Sequence, residues 1–456
     1  MAGAAGLSGL ALATGGSAAT GPSLVNDRLV SRQHTTVERP STVLTAMRAG
    51  KSAPAPGDGQ SDSPQPDSPQ PDEDSEVRSI ACDSAELVAA LTQANAEGGG
   101  SLKLAPKCTY LLTAYADPGD ASGGERSGLP VIYQPILIDG ADATIARDAT
   151  AEEFRFFTVR DGGELKLSNI TLANGRAASG GGIRIDHGGT AVVEHATFTD
   201  NAALAGEGGG GGIFNDGHLT LTDSKFAGNS AAGWAGRGGG LLNGGVLTVK
   251  GSEFTNNSAG GFGGGFANYQ GAADLSESTF AHNTAGEGGG VASVAARTKV
   301  WQTKITANTA RVGGGVVNKD ATITLRDLTI SHNTSEVAGG GVATIQGLLT
   351  LDDSTVTSNT TGGDGGGISA EQSNVLVRKS ESSRNQALGP ESKGGGIAVK
   401  QGQMSLFKSK VVDNSAAGEP GGLAETEIVV KVDDKTVITG NRPCGNDRAD
   451  EGCRVD

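Results

Sequence analysis

The chain has 456 residues, of which 74 are glycine (about 16%) and only 4% aromatic; 51 acidic against 36 basic side chains leave a formal net charge of −15. With no basic surplus to neutralise phosphates, nucleic-acid binding is excluded. Glycine does not recur at every third position, which excludes collagen, and no run of about 20 apolar residues offers a membrane span.

Residues 1–26 carry no charged side chain and include a small apolar stretch, Ala4–Ala13, followed by Ser17-Ala18-Ala19. These are two of the three parts of a secretory signal; the basic n-region is missing. Export is the expectation. Residues 27–76 have no periodicity and end in a Pro/Ser/Asp linker, 51–76, whose seven acids and one base contribute −6 of the net charge. Such a segment cannot bury a core and reads as an extended, solvated tether.

Residues 77–172 read as an N-terminal cap and first coils. Ser84–Ala96 is the one good amphipathic helix, with Ser84 as its cap and Leu87, Ala90 and Leu91 on one face. A helix over the open end of a stack guards its edge.

Residues 173–440 repeat themselves. Three glycines followed by Ile, Leu, Phe or Val recur, as at Gly180–Ile183 and Gly210–Ile213. An apolar residue three before an asparagine marks Asn201, Asn229, Asn257, Asn283, Asn308, Asn333 and Asn359, spaced 28, 28, 26, 25, 25 and 26 residues apart. Between these marks lie alternating strands such as Leu219-Thr220-Leu221-Thr222. Three short strands in a unit of about 26 residues predict an all-β, single-stranded right-handed parallel β-helix. Equal offsets then form columns about 4.8 Å apart. The marked asparagines form an amide ladder; Phe198, Phe226, Phe254, Phe280 and Ile305 form an apolar stack. Ser224, Ser252, Ser278, Thr303, Ser354, Ser380 and Ser409 form a third column, and Asn215, Asn243, Asn268 and Asn318 a fourth.

Four cysteines sit in two local pairs, Cys82 with Cys108 and Cys444 with Cys453. Local pairing and an export signal predict two disulfides, the second within a C-terminal cap over 441–456. Zinc is disfavoured, because no CxxC or close histidine completes a tetrahedral set.

The paired marks, GGG-[ILVF] and FxxN, resemble the repeats of polymorphic outer-membrane proteins. Cys82–Ala96, Gly128–Ile132, Ile138–Ile145 and Asn169–Leu172 resemble the leader of secreted, pectin-lyase-like β-helix proteins of bacteria. The resemblance spans about residues 80–440 and implies a right-handed β-helix outside the cell. The outer-membrane proteins add a C-terminal membrane barrel, and no such strand series follows here. Relatives of this fold include polysaccharide lyases, hydrolases and esterases, which set Asp, Glu, Lys, Arg and sometimes calcium along an outer groove.

The outward column after each GGG runs Arg184, Phe214, Leu242, Ala267, Ala292, Val317, Ala343, Ser369, Ala398 and Ala424. This reads as a small, apolar, exposed face suited to contact. The exception is Arg184 and Asp186 before His187, with Asp216 at the matching offset one coil later beside His218. Carboxylates about 5 Å apart suit a shared calcium or a glycosidase pair. Asp-Gly turns explain the same residues without chemistry. Thr220, Thr248, Thr324 and Thr350 share an offset, but Val192, Asp274, Lys299, Leu376 and Ser405 break the row, so a lattice-binding face is not expected. The expected function is surface contact, adhesion or polysaccharide binding without catalysis and without a cofactor. The alternative is a polysaccharide lyase or glycosidase using Arg184, Asp186 and Asp216. The sequence leaves the oligomeric state open.

Overall fold

The computed structural model describes residues 77–119 and 126–443. The leader, the linker and the Cys444/Cys453 pair lie outside the described residues. The chain winds into an all-β, right-handed parallel solenoid of about 14 turns. One coil comprises Ile213–Asn215, His218–Thr222, Lys225–Ala227 and Ser230–Ala231. Each strand pairs in parallel with its counterpart one coil on: Ile213 with Leu241, Leu219 with Leu247, Phe226 with Phe254, Ala231 with Ala259. The coil therefore holds four strands, not three. The fourth, after the asparagine, is only two residues long here, too short to show alternation.

The core follows from the columns. In His218–Thr222 the leucines point in and His218 and Thr220 point out. Phe198, Phe226, Phe254 and Phe280 stack with centroids 4.6, 4.6 and 4.7 Å apart, close to the strand spacing. The asparagine ladder runs from Asn201 to Asn441, which binds Asn414 as its last rung. Each amide nitrogen donates to the next Oδ1 and to a carbonyl of the previous coil; Asn257 Nδ2 reaches Asn283 Oδ1 at 3.0 Å and Phe226 O at 2.9 Å. These side chains are fully buried, so the ladder satisfies polar groups that would otherwise be costly. The hydroxyl column accepts backbone N–H groups, as Ser252 Oγ does from Ser224. Leu328 interrupts it. In the fourth column Asn215 donates to Asn243 at 2.7 Å and Asn243 to Asn268 at 2.8 Å.

The three glycines of a corner have three different reasons, seen at Gly210, Gly211 and Gly212. Gly210 has φ +66°. A Cβ on Gly211 would lie 2.3 Å from Gly239 O and 2.6 Å from Ser230 N. One on Gly212 would meet the Phe226 ring at 2.8 Å. Side chains are excluded by handedness, by backbone and by the stack in turn.

The helix spans Ser84–Glu97, and its cap is Asp83, not Ser84. Asp83 Oδ1 accepts from Ala85 N at 2.7 Å and Glu86 N at 3.3 Å. A carboxylate satisfies two orphan donors and faces the positive helix end, which a hydroxyl does less well. Ser84 instead donates to Leu111 O at 3.1 Å. Leu87, Ala90, Leu91 and Ala94 are buried in the same core that runs along the solenoid. Cys82 and Cys108 form a disulfide with Cα atoms 5.7 Å apart, tying the entry of the helix to the coil beneath.

The apolar column is not an exposed face. Leu242, Ala267, Ala292, Val317 and Ala343 are between 0% and 6% exposed. They form a second small core with Val312, packed against Phe214, Phe262, Tyr269 and Ile345. The left-handed glycine opening each corner folds the chain back along this column. Val317 Cγ1 lies 2.8 Å from where a Cβ on Gly288 would sit. The expectation failed because outward from the strand was equated with outward to solvent.

Candidate functional site

The functional groups converge at another corner, the two-residue turn between the strand after GGG and the longer strand that follows. Asn215 pairs with Ile185, so Asp216 stands at the offset of Asp186 one coil on. The column continues through Gly244, Gln270, Ala295 and Asp320. Gln270, Ala295 and Asp320 take left-handed backbone, with φ +64°, +48° and +51°. A groove of about 630 Å³ opens along this corner. His187, Asp216, His218, Gln270, Arg297, Asp320 and Thr322 are its polar lining, and all are exposed. Its floor is low because glycine is required there: a Cβ on Gly217 would meet Gly189 O at 2.2 Å, and one on Gly245 would meet Gly217 O at 2.1 Å.

The two aspartates differ. Asp186 Oδ1 accepts from Arg184 Nε at 2.6 Å and Oδ2 from Arg160 Nη1 at 2.8 Å. Its side chain is 15% exposed. Arg184 also lies over the Phe214 ring, 5.1 Å from its centroid. Beneath sits Arg155, 2% exposed, donating to Ser179 O at 2.9 Å. Burial, with the positive charge of Arg184 beside it, pushes the Arg155 guanidinium down to about 9. Asp216 lies open to the groove. Arg184 and Asp186 thus form an ion pair that does not line the groove, whereas Asp216 does.

Among the described residues, no three or more His, Cys, Asp or Glu side chains come together as a metal site would require. Calcium takes six to eight oxygens, and Asp186 already has both of its own engaged by arginines. Sequence reasoning placed Asp216, His187 and His218 but missed Gln270, Arg297 and Asp320. A signal existed: Gln270 and Asp320 each lie two residues after an asparagine of the fourth column. Neither Trp234, 79% exposed, nor Trp301 lines the groove. His195, His282 and His332 occupy left-handed corners. The threonine row is broken by Asp274 and Lys299, which pair at 3.4 Å.

A family model described as right-handed β-helix region matches residues 136–317 and 266–425. No curated protein matches the chain. Among solved structures, tailspike protein 3 of bacteriophage CBA120 is 11% identical, with 79% of this chain and 59% of that one covered and a TM-score of 0.45. The mannuronan C-5 epimerase AlgE4 A-module of Azotobacter vinelandii is 13% identical, with 81% and 99% covered and a TM-score of 0.40. The tailspike of Escherichia coli bacteriophage HK620, in complex with a pentasaccharide, is 10% identical, with 78% and 63% covered and a TM-score of 0.30. The chain therefore spans less than two thirds of either tailspike. Among the described residues no helix is long and apolar enough to cross a membrane.

Proposed function

We propose a binding role for this chain, which belongs to the right-handed β-helix family: it holds a polysaccharide strand in the corner groove, outside the cell. One observation carries this reading. A glycine-floored groove crosses several coils and presents two carboxylates, two imidazoles, an amide and a guanidinium. Such mixed donors and acceptors suit sugar hydroxyls, and a groove parallel to the stack suits an extended polymer. The Cys82–Cys108 disulfide supports an oxidising compartment. The adhesive role expected of the apolar column loses its exposed surface and moves to the groove.

The test is retention of the full chain on a panel of immobilised polysaccharides, with Asp216→Ala and Arg297→Ala alongside. Retention on at least one polymer, lost in both variants, is expected. Equal retention of the variants removes the groove.

A catalytic reading keeps support from Asp216, an open carboxylate beside His218 in that groove. Asp186 and Arg184 would then position and Asp216 would transfer the proton. Both Asp186 oxygens are engaged by Arg184 and Arg160, so neither is free to face a substrate, and Asp186 fits support better than proton transfer. Turnover of a retained polymer, abolished by Asp216→Ala with binding kept, would favour catalysis.

A further inference from the structure

The corner column does not stop where the groove does. Lys319 pairs with Ile345, Ile345 with Glu371, Glu371 with Lys400 and Lys400 with Thr426. The next residues in those coils, Asp320, Gln346, Gln372, Gln401 and Glu427, therefore stand in one row. Gln346 Nε2 donates to Gln372 Oε1 at 3.1 Å, Gln372 Nε2 to Gln401 Oε1 at 3.0 Å, and Gln401 Nε2 to Glu427. Gln346 and Gln372 are exposed and Gln401 is half-buried.

This outer ladder is a poor stability device. All three glutamines occupy left-handed backbone, with φ +52°, +49° and +58°. Glycine, asparagine or aspartate would hold that conformation at lower cost. Exposed amide pairs also return little, since water competes for the same bonds. The column of left-handed corners before the buried asparagines uses Asp200, Gly228, Asn256, His282 and Ala307, with no glutamine. The corner before the hydroxyl column holds one left-handed glutamine, Gln302, whereas at this corner Gln270, Gln346, Gln372 and Gln401 recur. Alongside run two further rows. Leu348, Asn374 and Gln403 lie in register on one side. Glu371 and Lys400 pair at 3.7 Å on the other. The row is a shallow track, rich in amides, in line with the groove.

We propose that this glutamine row is an extension subsite, over which an uncharged polysaccharide continues beyond Asp320 to Glu427. It rests on the groove reading and adds reach and substrate class to it. An amide offers a donor and an acceptor together, matching a hydroxyl, and carries no charge to select uronates. The carboxylates of Asp216, Asp320 and Glu427 outnumber the one guanidinium on the same line, Arg297, and so disfavour an acidic polymer. Eight coil steps separate Asp216 from Glu427, a track of about 38 Å at the usual strand spacing.

The experiment is calorimetric titration of the full chain with size-graded neutral oligosaccharides of the cello and manno series, and with oligogalacturonates. The variants are Gln346→Ala/Gln372→Ala/Gln401→Ala together, and Asp216→Ala. Affinity should keep rising with length past the oligomer that fills the groove. The triple variant should lose about tenfold for the longest oligomer and nothing for the shortest. An unchanged length dependence in the triple variant overturns the extension while leaving the groove standing. Tighter binding of oligogalacturonates than of neutral chains overturns the substrate class. No binding of any oligomer by a chain with a normal unfolding transition overturns both readings.

Discussion

Asn308 Nδ2 and Asn308 N both donate to Asn333 Oδ1, at 3.0 and 2.9 Å. One oxygen thus fixes a side chain and a backbone group of the neighbouring coil. Asn308 Oδ1 does the same for Asn283, and Asn308 Nδ2 also holds Phe280 O at 2.9 Å. Asn308→Ala strands buried partners above and below. A loss of about 2–4 kcal/mol is expected. It should appear as a lower urea midpoint, and an unmoved midpoint contradicts the ladder's role.

Ala307, just before that rung, has φ +55°. Its counterpart two coils earlier is Asn256, with φ +54°. Asparagine tolerates this region because its short amide bonds locally, whereas alanine has no such compensation. Ala307→Asn should raise stability by about 0.5–1 kcal/mol. A lower melting temperature in scanning calorimetry would count against strain at this corner.

The Cys82–Cys108 bridge closes a loop with a separation of 26 residues. Replacing both by serine should cost about 3 kcal/mol through the freed unfolded chain. Solenoid stability is nearly local, so the effect should concentrate at the N-terminal end. Hydrogen exchange should quicken in Ser84–Glu97 and leave the mid-rod strands unchanged. Uniform acceleration along the rod contradicts a local cap.

Three carboxyls contribute to an acid limit, Asp139, Asp433 and Asp148, the last held below its ordinary value by the Thr150 hydroxyl. The Asn169 amide holds Asp139 below its ordinary value, and the Thr436 hydroxyl does the same for Asp433. For a lowered carboxyl the unfolded chain takes the proton first. The stability it carries is full above about pH 5 and is lost as pH falls through the ordinary value near 3.9 and on to the folded one. The melting temperature should be flat from pH 7 to about 5 and fall below about 4, less steeply in Asp139→Asn.

The rod was legible because stacking makes every inward offset a column, and columns repeat in the sequence. Phe226, Asn229 and Ser224 announced their burial by recurring. The helix was legible in extent to within a residue, but its cap shifted from Ser84 to Asp83. The choice depends on which side chain turns back to Ala85 N and Glu86 N. Two errors came from the cross-section, which periodicity along the axis does not encode. Val317 and Ala292 face out of their strands yet lie under the folded-back corner. Arg160 comes from the coil before Arg184 and meets Asp186 only because the stack aligns them. The groove was half-legible: Asp216 and His218 stood beside an Asp-Gly signal, whereas Gln270 and Arg297 matter only through a shared corner.

The most direct measurement is a crystal structure of the full chain soaked with a long neutral oligosaccharide that it retains in solution. Sugar density should run along the corner from His187 past Asp216, Gln270 and Asp320, parallel to the stack. Density on another face of the rod, such as over Phe262 and Lys319, with the corner filled only by water, would contradict the account.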